Sequence, residues 1–145
     1  MKYLIPLMAL IAFSSPSFGQ VNGNIIFSGT VASSCAFSSS SAGVASVSGT
    51  GFSSTSDGTI TVDNNDPSNY TLSLGSLTLT TAPDGQSISA STSTPTVTGS
   101  NAGISLPAAL ANAGTDVVSV DVSGTLDSTA TAGSYVFTQV VTCAP

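Results

Sequence analysis

Basic residues are almost absent from this chain: Lys2 is its one cation, and it contains no His, no Glu and no Trp. Lys2 sits in an N-terminal export signal, so the remainder carries no positive side chain at all. Without cations a protein cannot neutralise phosphates, which supply most non-specific affinity for nucleic acid. Basic attraction to anionic lipid is excluded for the same reason. The lack of His, Lys and Glu also removes the usual bases that activate a serine nucleophile, so the many serines are composition and not a catalytic constellation. No zinc-ligand spacing and no glycine-rich phosphate loop is present. We therefore expect a protein that is not an enzyme, uses no cofactor, and binds neither nucleic acid nor membrane by charge.

The export signal is read from Met1-Lys2, the apolar run Tyr3–Phe13, and the small residues Ser17 and Gly19 before Gln20. The run is shorter than the roughly 20 residues that span a bilayer, so cleavage is expected in preference to a retained anchor. This predicts a signal peptide at residues 1–19 and a single domain at 20–145, secreted or held at the cell surface. All seven acidic residues are aspartates, spread from Asp57 to Asp127.

What is plentiful is Ser, Thr, Gly and short β-branched alternation, which predicts strands. Candidate strands are Asn24–Val31, Thr59–Val62, Tyr70–Leu74, Leu77–Thr80, Val117–Leu126 and Tyr135–Cys143, with weaker ones at Ile88–Ala90 and Thr96–Thr98. Ser38–Ser41 and the stretch Ser87–Thr98 read as exposed loops or weak edge strands. Alternate residues face opposite sides of a strand, so Val118, Val120 and Val122 form a core face matched by Tyr70, Leu72 and Leu74. Only Ile104–Ala111 hints at a helical turn, with Pro107 in its first turn. Seven or so short strands predict an all-β, two-sheet sandwich.

Two cysteines, Cys35 and Cys143, bracket nearly all of the domain. Export favours a disulfide, with two free thiols or a crosslink between chains as the alternatives. A bridge would close a loop of about a hundred residues, for which chain entropy gives up to about 4.7 kcal/mol. It would also bring the ends of the first and last strands together, as at one sandwich edge. Asp63-Asn64-Asn65-Asp66-Pro67 carries oxygen donors that suit calcium, with Asp63 and Asp66 as candidate ligands. The same run is also what a tight connection needs, since Asx side chains bond their own backbone. Asn69-Tyr70-Thr71 forms a glycosylation sequon that composition alone can explain.

The opening Ile26-Phe27-Ser28-Gly29-Thr30-Val31-Ala32-Ser33-Ser34-Cys35 and the ending Ala132-Gly133-Ser134-Tyr135-Val136-Phe137-Thr138-Gln139-Val140-Val141-Thr142 resemble the first and last strands of bacterial chaperone–usher fimbrial (pilin-like) subunits and related spore-coat-U-type domains. The resemblance implies an immunoglobulin-like sandwich that borrows a strand from a neighbour. It implies a structural or adhesive surface protein whose partners are like subunits or a periplasmic chaperone. Ile25, Phe27, Val140 and Val141 would then line the edge where a strand adds. In two respects the chain departs from such pilins. Only Gln20–Gly23 stand where they carry a donor extension, and Cys143 is terminal, where a bridge would close the edge a donor strand fills. A self-complete secreted binding module, for glycans or another surface, is the alternative.

Overall fold

A computed structural model describes Ile26 and residues 28–145. The expected signal peptide and two of the expected edge residues, Ile25 and Phe27, lie outside the described residues. The chain divides into two compact units, Met1–Val31 and Ala32–Pro145. In the first, Ile26 and residues 28–31 carry no regular secondary structure, so the strand expected over Asn24–Val31 is not seen in its described part. The architecture below is that of the second unit.

That unit is all-β and sandwich-like, with eleven strands in three antiparallel sheets. The strands are β1 (Cys35–Ser41), β2 (Val44–Ser48), β3 (Gly51–Ser56), β4 (Gly58–Asn64), β5 (Thr71–Leu74), β6 (Thr78–Thr81), β7 (Ile88–Gly99), β8 (Ala108–Ala109), β9 (Gly114–Leu126), β10 (Val136–Thr138) and β11 (Val141–Ala144). β9 is the spine of a six-stranded sheet. One side of it pairs with β7 along the whole of that strand, from Ile88↔Leu126 to Gly99↔Asp116. Its other side is shared by β4, from Gly58↔Val120 to Asn64↔Gly114, and by β3 at Gly51–Ser53. β1 extends the sheet beyond β4, and β2 beyond β3. The second layer comprises the sheet β11-β5-β8 and the pair β10-β6.

Alternation explains the core. Val62, Val97 and Val118 point inward from β4, β7 and β9, where they meet Leu72 of β5 and Leu110 just past β8. Tyr70, Ile104, Leu106 and Val141 pack around them, with Cys35 and Cys143. A satellite cluster joins the layers at the other end, where Phe52 of β3 stacks on Phe137 of β10 with ring centroids 4.4 Å apart. Gly124 makes that stack possible: a Cβ there would lie 2.6 Å from the Phe52 ring and 2.2 Å from the Ala90 carbonyl.

Several local expectations are settled or change. Of the two alternatives for Ser38–Ser41 and Ser87–Thr98, the edge strand holds for both: the first belongs to β1 and the second forms most of the single long strand β7. β7 pairs only with β9, and an edge position is where a strand tolerates Pro95, which has no N–H to donate. The Ile104–Ala111 region is not helical. Its Leu110 N–H bonds the Tyr70 carbonyl at 2.9 Å, and Ala108–Ala109 pair with Leu72–Thr71, so its backbone groups are used by β5. The strand expected over Tyr135–Cys143 is split into β10 and β11 at Gln139–Val140. The hairpin β2–β3, which turns at Gly49 with φ 61°, had no expected counterpart.

Candidate functional site: an open interlayer cavity

Where the two layers diverge, the core is unfilled and leaves a cavity of about 570 Å³. Val118, Val120 and Val122 of β9 line one wall, and Leu74, Phe137 and Val141 line the other. The rim includes Ser40 and Ser41 at the end of β1 and Gly43 in the turn that follows. β1 pairs only with β4, β11 only with β5, and β10 only with β6, so each offers a ladder edge without a strand partner. The cavity opens between these edges, beside the break separating β10 from β11.

That break has its own chemistry. The Gly75 N–H donates to the Val140 carbonyl at 2.8 Å, and Gln139 Nε2 donates to the Gly75 carbonyl at 2.8 Å. The other end of the same amide, Gln139 Oε1, is buried without a hydrogen-bond partner. An unpaired acceptor in such a place costs free energy that a donor could recover. Tyr135, also on the lining, is held in place: its Oη accepts the Thr131 N–H at 3.0 Å and donates to Gln86 Oε1.

Of the four residues expected to form an edge for strand addition, two are described. Val141 lies in β11 opposite Leu74 and lines the cavity, while Val140 precedes it and is exposed. The cysteines are bonded to each other within the chain, with Cα atoms 6.3 Å apart. The bridge does not tie two strand ends of one sheet. Cys35 is the first residue of β1 and Cys143 the third of β11, and these strands belong to different sheets. It clips the two layers together beyond the residues that line the cavity, whose mouth lies toward the far end of β1.

The calcium candidates are occupied with local bonding. Asp63, in β4, takes hydrogen bonds from Ser38 and from Thr115, whose Oγ1 donates at 2.6 Å, and these hold its carboxyl below the usual carboxylate range. Hydrogen bonds from Asn69 and Ser33 lower the Asp66 carboxyl in the same way. Asn65 behaves as a local connector: its Oδ1 accepts the Ser34 N–H at 2.7 Å and its Nδ2 donates to the Ala32 carbonyl at 2.9 Å. No group of three or more His, Cys, Asp or Glu side chains is gathered among the described residues.

One polar cluster has no counterpart in the sequence analysis. Asp116 is fully buried on the inner face of β9. Its Oδ1 accepts the Asn101 N–H at 2.6 Å and its Oδ2 accepts Asn101 Nδ2 at 2.7 Å. Asn101, itself buried, also accepts the Asn112 N–H at 2.8 Å and donates to the Asn112 carbonyl at 2.9 Å. The cluster fastens the Gly99–Gly114 connection onto the sheet. Gly99 turns into it at φ 115°, where a Cβ would lie 2.3 Å from the Thr115 carbonyl oxygen.

Among the described residues no helix is long and apolar enough to cross a membrane. That fact and the disulfide are compatible with an extracytoplasmic protein. No family model, no curated protein and no solved structure matches this chain.

Proposed function

We propose that this chain is a secreted, non-enzymatic structural or adhesive protein of the bacterial surface, acting as a fimbrial subunit does, and that its open edge takes up a β-strand from a like subunit or a periplasmic chaperone. The observation that carries this reading is the unfilled apolar cavity beside unpaired strand edges. An incoming strand would gain main-chain hydrogen bonds from an edge and place alternate side chains in the cavity. Each apolar side chain so buried is worth about 1.5–3 kcal/mol. A backbone N–H of the same strand could satisfy Gln139 Oε1.

The Cys35–Cys143 bridge favours a second reading. It already closes one end of the edge, as a self-complete binding module for glycans or another surface would require. Unheated, non-reducing gels beside size-exclusion chromatography separate the two. Strand exchange predicts ladders that collapse on boiling. A strict monomer at every concentration, with its bridge intact, would sink the fimbrial reading and leave the binding module.

A further inference from the structure

The outer face of the six-stranded sheet carries hydroxyl groups in register across four strands, and only the Ser41–Thr59 end of it reaches the cavity. Strand pairing aligns Ser41, Thr59, Ser119 and Thr96 in one row, through Ser41↔Thr59, Thr59↔Ser119 and Thr96↔Ser119. A parallel row runs Ser39, Thr61, Val117 and Thr98, and a third runs Ser46, Ser53, Ser123 and Thr92. Thr94 stands opposite Asp121 between them. Along β7 the outward side chains at 92, 94, 96 and 98 are all threonine, and all four are exposed. Ser39 Oγ donates to Thr61 Oγ1 at 2.8 Å, so neighbouring strands within a row are already linked by hydroxyls.

The chemistry of this face eliminates most partners. It has no cation for an anionic ligand, and Asp63 and Asp121 are the acidic side chains of its β4 and β9 rows. No aromatic side chain stands in these rows to stack on a sugar ring. Val117 is the one aliphatic residue in the three rows, too little for an apolar partner. What remains is a lattice of hydroxyls with Asp121 within it and Asp63 at its end, spaced about 4.7–4.9 Å across the strands and about 6.6–6.8 Å between alternate residues along each. Water oxygens on the faces of hexagonal ice repeat on the same two length scales and offer matching donors and acceptors.

We propose that the outer face of β4, β9 and β7 binds ordered water at an ice surface. Adjacent strands rotate by about 20–25°, so the matched lattice is a ribbon three strands wide along β9, and its effect is to shape and slow ice growth. The β7 threonines on which this inference rests do not line the cavity, and it stands apart from the strand-uptake reading.

The test is ice-affinity partitioning of the disulfide-bonded chain, with microscopy of crystals held just below their melting point. The protein is expected to enter a slowly growing ice front and to impose facets on the crystals. Thr96→Lys and, separately, Thr92→Lys should abolish both effects, while Ser76→Lys, in the exposed link between β5 and β6, should keep them. Circular-dichroism melting identifies any variant that has lost its fold. Exclusion of the wild-type chain from ice overturns the proposal. Folded face variants that match wild type also overturn it, as does retention on insoluble cellulose without any effect on ice.

Discussion

At Asp116 the alternation of β9 puts a carboxylate where Val118 and Val120 put methyl groups. The polar group is tolerated because Asn101 supplies two N–H donors to it, one from the backbone and one from the side chain. Removing the carboxylate strands both donors in the interior, at about 1–3 kcal/mol for each group left unsatisfied. Asp116→Ala should therefore lower stability by at least about 2 kcal/mol, read as a drop in the urea midpoint with an unchanged slope. Asp116→Asn keeps the shape but only one acceptor oxygen, and should fall between the two. A midpoint equal to wild type for Asp116→Ala would show that the cluster contributes nothing. The position was legible by parity, since 116 is in phase with 118, 120 and 122. Its partners were not, because Asn101 and Asn112 lie in turn-rich sequence and reach Asp116 only when the connection folds back over the sheet.

Strand alternation made β4, β5, β6 and β9 readable from the sequence, because each has one clearly apolar side. β7 was harder to recognise: its inward residues include Ser93 and Pro95, so its apolar stripe is faint although its ladder with β9 is the longest in the fold. The hairpin β2–β3 was hidden for the same reason, with Ala45, Val47 and Phe52 scattered among serines and glycines. The split at Gln139–Val140 could not be read at all, since a continuous β-branched run gives no sign that Gly75 draws the chain out of one ladder and into another. Gln139 at that split lines the cavity. Filling it from the β9 wall with Val122→Leu should stabilise the fold by about 0.5–2 kcal/mol, the range of cavity-filling changes. The same variant should take up less partner strand, so its gel ladders should weaken as its melting temperature rises. A more stable protein with undiminished ladders would show that partners do not enter the cavity.

For the whole molecule, the layers are held by a narrow central core, the Phe52–Phe137 stack at one end and the Cys35–Cys143 bridge at the edge. A pairing of the two cysteines was foreseeable from the expected export signal and from their count. Its geometry was not, since the first strand begins at Cys35 instead of ending there. The bridged residues lie 108 positions apart. Closing so long a loop removes much of the unfolded chain's freedom, worth up to about 4.7 kcal/mol in the chain-entropy model. Few charges are present to add ion-pair stability, so the bridge is expected to carry a large share of the total, which for a domain is about 5–15 kcal/mol. The double variant Cys35→Ser, Cys143→Ser should lose about 3–5 kcal/mol in urea unfolding, and reductant should lower the wild-type midpoint while leaving the variant unchanged. The bridge also sets how far β1 and β11 can part. If strands enter at that edge, releasing it should increase ladder formation in the fraction that stays folded. If the domain is complete in itself, release should bring only loss of stability, and the folded fraction should remain monomeric.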